Sequence, residues 1–175
     1  MLTLRNGCKV PFPEKLCEEY MPEDDRIIAN ISADKISDVM GHFICIHDEP
    51  IFFILELPSN CDDEQEIRPG IVEKLHNDVY YIDGCTIEEA LTILIRIGDL
   101  MINDGLCSFG FGGHESTDEI MFGKYNVTTI FSKSIKRYVD FMAEHDIPKA
   151  DRIITAWDTF SSKNPGSSER IYTDG

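Results

Sequence analysis

Ile51-Phe52-Phe53-Ile54-Leu55-Glu56-Leu57 decides how this chain is read, because six of its seven residues are apolar and Pro50 and Pro58 bound it. Ile and Phe fit a pleated surface, and a run this short and this continuous predicts a strand whose two faces are both covered. Such a strand is expected at the centre of a sheet. Immediately upstream, Phe43-Ile44-Cys45-Ile46 lies across His47-Asp48-Glu49-Pro50, a spacing that reads as a hairpin with a four-residue turn.

Downstream, Ser59 to Gly70 is a polar connection that carries Asp62, Asp63, Glu64 and Glu66 and is expected to be an exposed loop. Val79 to Ile82 reads as a strand that stops at Asp83-Gly84. Thr86 and Glu89 then form a capping-box pair, and Leu91, Leu94, Ile95, Gly98, Met101 and Ile102 recur at helical intervals up to Gly105, a glycine placed to end the helix. Further strands are expected at about Cys107 to Phe111, Glu119 to Phe122 and Tyr125 to Phe131. Ser134 is placed to cap a helix with Ile135, Tyr138, Phe141 and Met142 on one face. Arg152 to Phe160 is read as the last strand, with Trp157 half-buried. Upstream of the hairpin, Arg26 to Ile31 reads as a strand, and a short helix capped by Ser32 runs from Ala33 to about Met40, where Gly41 would stop it. Hairpins mixed with helices predict an α+β fold: a single domain over residues 1–160, with a mostly antiparallel sheet packed against two or three helices, and a loose tail over 161–175.

The length of 175 residues suits one domain that buries roughly 70% of its unfolded surface. Ten Phe and six Tyr set it apart from disordered acidic chains. The dominant compositional fact is charge. Asp and Glu number 32 against 16 Lys and Arg, a formal net charge of −16, and residues 1–66 alone hold 15 acidic and 5 basic side chains. Such a field repels nucleic-acid backbones and anionic membranes and steers basic partners toward the protein, although acidity also serves solubility alone. No basic stripe interleaved with aromatics points to nucleic-acid binding. The six cysteines form no CxxC pair, and reduced, mostly buried thiols are expected. The first residues lack the apolar core of about 7–15 residues that marks a signal peptide, and no run reaches the ~18 apolar residues of a membrane span. A cytoplasmic protein is the expectation.

Chemistry is best sought in Ser108-Phe-Gly-Phe-Gly-Gly-His-Glu-Ser-Thr-Asp-Glu119. Its glycines let the backbone bend or approach a ligand, and His114, Glu115, Asp118 and Glu119 follow directly. No Gly-Lys-Ser/Thr completes a phosphate cradle. A catalytic version would use His114 as a base oriented by Glu115 or Asp118, but neighbouring strand residues face opposite ways unless the loop turns sharply. No His-x-x-x-His spacing suggests a metal, no Gly-x-Ser-x-Gly elbow suggests a nucleophile, and no motif requires a cofactor. In a binding version Glu115, Asp118 and Glu119, with the acidic run Asp62, Asp63, Glu64 and Glu66, would meet Lys and Arg of a partner.

The segment from Phe109 to Ile120, with Gly123-Lys-Tyr-Asn-Val127 and the upstream Asp78-Val-Tyr-Tyr-Ile-Asp83, resembles small bacterial toxin-immunity proteins. These are the immunity proteins of contact-dependent growth inhibition and related polymorphic toxin systems, and the resemblance spans about residues 42–160. It implies a non-enzymatic α+β inhibitor that binds a cognate basic toxin domain, often a nuclease, and blocks its active site. The alternatives from the residues themselves are a small cytosolic enzyme built around His114 and an acidic regulatory or structural module.

Overall fold

The computed structural model describes residues 1–59, 65–69, 71–73 and 76–172, with the backbone alone at 65–68 and 71–73. In chain order the elements are β1 (Cys8–Lys9), β2 (Glu19–Pro22), β3 (Arg26–Asn30), α1 (Ala33–Cys45), β4 (Ile51–Pro58), β5 (Gln65–Arg68), β6 (Ile71–Glu73), β7 (Asn77–Cys85), α2 (Ile87–Asn103), β8 (Ser108–Gly113), β9 (Glu119–Phe122), β10 (Val127–Phe131), α3 (Arg137–Glu144), α4 (Ala156–Thr159) and β11 (Ser167–Ser168). Seven strands form one antiparallel sheet in the order β2-β3-β10-β9-β8-β4-β7, while β5 pairs with β6 and β1 with β11. The α+β class and the antiparallel sheet expected from the sequence are those observed.

One face of the sheet is the core. Ile27, Phe53, Phe109, Phe111, Ile120, Phe122 and Ile130 meet Ile36, Val39, Met40, Phe43 and Ile44 of α1, Leu94 of α2, and Tyr138, Phe141 and Met142 of α3. The capping box of α2 forms as the sequence predicts, with Glu89 N donating to Thr86 Oγ1 at 3.1 Å and Thr86 N to Glu89 Oε2 at 2.8 Å. Its end differs. Asp104, in extended conformation, caps it, and Gly105 instead abuts Gly7, where a Cβ would collide with backbone.

Four expectations are corrected. The hairpin from Phe43 to Leu57 does not form, because α1 continues through Gly41 to Cys45. Glycine inside a helix costs about 1 kcal/mol, whereas burying an Ile or Phe is worth about 1.5–3 kcal/mol, so the five buried side chains from Ile36 to Ile44 outweigh Gly41. Ser32 precedes α1, but its hydroxyl accepts from Thr3 N at 3.0 Å rather than from the helix. Arg152 to Phe160 is not a strand. Thr155 and Asp158 form a capping box, Thr155 N donating to Asp158 Oδ2 at 2.8 Å, and the short helix α4 follows, with Trp157 54% exposed. Part of the acidic connection, Gln65–Arg68, is a strand rather than a loop.

The N-terminal residues are fastened by Arg5. Its side chain is among the largest fully buried ones, its guanidinium donates to the carbonyls of Met101, Ile102, Cys107 and Gly123, and it lies 4.7 Å above the Phe122 ring. Met101 and Ile102 are in the last turn of α2, where unpaired carbonyls and the helix dipole favour a cation.

Candidate functional site

Residues directly opposed across an antiparallel pair share a face, so the register shows what the other side of the sheet presents. Met21, Ile28, Thr129, Met121, Gly110, Ile54 and Tyr81 are opposed in succession and make one row across all seven strands. A second row runs Arg26, Phe131, Glu119, Gly112, Phe52, and a third Ser108, Glu56, Val79. The side chains of α1, α2 and α3 all join the core on the opposite side. At one end the open face is closed by Asn30, whose side-chain amide donates to the carbonyls of Cys17 and Ile154.

β4, expected at the centre of the sheet with both faces covered, is instead second from the β7 edge, and among the described residues only one of its faces is covered by helices. The nearly unbroken apolar text of β4 arises because the open side is itself apolar, with Phe52 and Ile54 on it. Two glycines shape this surface. A Cβ on Gly112 would stand inside the Phe52 ring, and one on Gly110 would collide with Met121 Sδ and the Ile120 carbonyl. Phe52 and Met121 therefore lie flat across the strands. Phe131 is 40% exposed, Tyr81 50% and Val79 57%.

Carboxylates punctuate the face. Glu119 sits between Phe131 and Gly112 in the second row, and its carboxyl is raised above the usual range, first by burial and then by the charge of Glu56. Among the described residues no basic side chain pairs with Glu119 or Glu56. Arg26, at the far end of the row, is tied to Glu23.

The four candidate residues that follow β8 go four ways. His114 Nε2 bonds Asp83 at the end of β7 and its ring lies 5.3 Å from that of Phe52; this hydrogen bond holds the Asp83 carboxyl below its ordinary value. Glu115 is exposed to solvent. Glu119 faces the open side of the sheet. Asp118 turns inward and is 2% exposed, which removes it from the surface acids. Neither carboxylate expected to orient His114 does so, and Asp83, 31 positions upstream, takes that place. Asp62, Asp63 and Glu64 lie outside the described residues, and Glu66 falls on β5, of which the backbone alone is described.

Asp118 belongs to a buried cluster. Tyr138 donates its hydroxyl to Asp118 Oδ2 at 2.5 Å, Arg137 reaches the same oxygen at 3.3 Å, and His47 Nε2 lies 3.3 Å from both Asp118 Oδ2 and the Tyr138 hydroxyl. The His47 Nδ1 faces the Phe43 carbonyl at 2.6 Å, so that nitrogen is the donor. Burial, and then Asp118, push the Tyr138 phenol far above its ordinary value. The cluster joins the end of α1, the turn before β9 and α3, and the His47 and Asp118 side chains are 1% and 3% exposed. It fastens elements together, with His47, Asp118 and Tyr138 buried and Arg137 reaching in from the surface.

Among the described residues no group of three or more His, Cys, Asp or Glu is placed to hold a metal ion, and no helix is long and apolar enough to cross a membrane. Cys8, Cys85 and Cys107 are buried free thiols, whereas Cys17 and Cys45 are exposed, Cys45 because it ends α1 rather than lying in a strand. Compared with protein-family models, with curated proteins and with solved structures, the chain matches none.

Proposed function

We propose that this protein is a cytoplasmic, non-enzymatic inhibitor that binds a basic protein, in the manner of an immunity protein neutralising a cognate toxin, a nuclease being the natural target. The observation that supports this best is the open sheet face: Met21, Ile28, Met121, Ile54 and Phe131 supply apolar anchors, and Glu119 and Glu56 stand among them. Tight binding needs such anchors at the centre of an interface, whereas acids at the rim chiefly accelerate encounter. A raised carboxyl with no basic partner among the described residues is a group whose environment improves when a Lys or Arg arrives. The net charge of −16 supplies the long-range attraction.

The test is affinity capture from the native lysate with the tagged chain, followed by identification of what is retained and titration of the complex with salt. One basic protein domain is expected, with its association slowed as salt rises and slowed further by the double variant Glu56→Gln, Glu119→Gln. A partner that is acidic, or binding indifferent to salt, would sink the proposal. The alternative enzyme would use His114 oriented by Asp83 beside Phe52, and a substrate turnover abolished by His114→Ala would favour it.

A further inference from the structure

The two edges of the large sheet are unlike. Along β2, Tyr20 N donates to the Pro148 carbonyl at 2.9 Å and Ala150 N to the Tyr20 carbonyl at 2.8 Å, and Pro22 has no N–H to offer, so that edge is closed. At the other end β7 pairs with β4 alone, and among the described residues no strand lies on its outer side. It is nine residues long. Its centre, Val79-Tyr80-Tyr81-Ile82, carries none of the Lys or Pro residues that commonly protect an edge. All four side chains are about half exposed, at 57, 53, 50 and 48%. Register places Tyr80 with Leu55 and Ile82 with Phe53 on the helix side, and Val79 with Glu56 and Tyr81 with Ile54 on the open side. Apolar surface is thus uncovered on both faces of one bare edge. A helix laid in a groove would cover one of those faces; an added strand covers both and also satisfies the unpaired backbone groups.

Charge selects the strand. Asp78 and Asp83 bracket the apolar centre, each beside a histidine ring: His76 Nε2 lies 3.3 Å from Asp78 Oδ1, and His114 Nε2 bonds Asp83. Beyond Asp83, Glu88 and Glu89 line an open cleft of about 480 Å³ between the end of β7 and the start of α2. A second copy of this chain pairing antiparallel about the middle of the four residues would set Asp78 against Asp83 twice over, on two bodies each of charge −16. We propose that the outer edge of β7 receives an extended segment of a basic partner, apolar at its centre with Lys or Arg at its ends, added as an eighth strand to the sheet. This rests on the basic-partner proposal above and specifies how that partner is held.

The experiment selects nine-residue peptides from a display library on the full-length protein and then follows amide hydrogen exchange by NMR with the selected peptides. Enriched peptides are expected to alternate apolar residues between basic ends and to slow exchange along Asn77–Cys85. N-methylation of alternate peptide amides, or the variant Tyr80→Lys, is expected to weaken binding by about tenfold or more, while Tyr80→Phe keeps it. Tyr80 points to the helix side, so Tyr80→Lys leaves the open face as it is. No enrichment, protection centred away from β7, or β7 protection that grows with protein concentration in the absence of peptide would overturn the strand addition. A basic partner captured equally well by Tyr80→Lys overturns it too while leaving the basic-partner proposal standing. Capture of no basic partner by the wild type, with peptides still protecting β7, does the reverse.

Discussion

Asp118 was conspicuous in the sequence as an acid beside glycines, yet its consequence is for stability. One buried oxygen takes bonds from Tyr138 and Arg137 and lies against His47. Asp118→Ala is expected to cost about 3 kcal/mol in urea unfolding, because Tyr138 and Arg137 lose their common acceptor, whereas Tyr138→Phe, which leaves the ion pair, is expected to cost about 1 kcal/mol. The partners were illegible because His47 and Tyr138 lie 71 and 20 positions from Asp118 and only the packing of α1 and α3 brings them near. His145 carries the acid sensitivity. Burial, then the neighbouring His42, lower its proton affinity below the ordinary value of about 6.5, and its ring also sees Asp38, Glu144 and Lys35. The unfolded chain therefore takes the proton first, so stability rises with pH: the contribution is whole above about pH 6.5 and is lost as pH falls below it. Urea midpoints measured at about pH 7.5 and about pH 5.5 should drop more for the wild type than for His145→Gln, and equal drops would refute this.

At the scale of elements, the glycines separate what the sequence shows from what it conceals. Gly41 has the look of a helix stop, but the period of Ile36, Val39, Met40, Phe43 and Ile44 runs straight through it, and burial decides. A Cβ there would meet Leu91 and Leu94 at 3.9 Å, an ordinary contact. Gly41→Ala is therefore expected to stabilise the protein by about 0.5–1 kcal/mol. Gly110→Ala, pressed against the Ile120 carbonyl, is expected to destabilise it by about 2 kcal/mol, and thermal or urea denaturation of the pair checks both signs. The capping box of α2 was legible because its parts lie three residues apart. The one at Thr155 and Asp158 opens a helix of only four residues, too short to show a period, and the Ile and Trp around it imitate a strand.

Taken whole, the molecule is a strongly charged body that folds against its own repulsion. Raising NaCl from about 0.01 M to about 0.15 M shortens the screening length from ~30 Å to ~8 Å, and the melting temperature should rise with it; a fall would mean that attractive pairs dominate instead. The acidity and the α+β class could be read directly from composition and pattern. The open face could not, since a strand apolar on both sides looks the same whether its second face meets a layer of helices or water, and only the placement of α1, α2 and α3 on one side distinguishes them. The unequal edges of the sheet carry a last consequence. A filament of strands must gain a neighbour on each side of every unit, and here Pro148 to Ala150 already occupies one side. Whatever joins β7 is the final addition, so the sheet can terminate a growing assembly but cannot propagate one, and its complexes should be closed, discrete and countable.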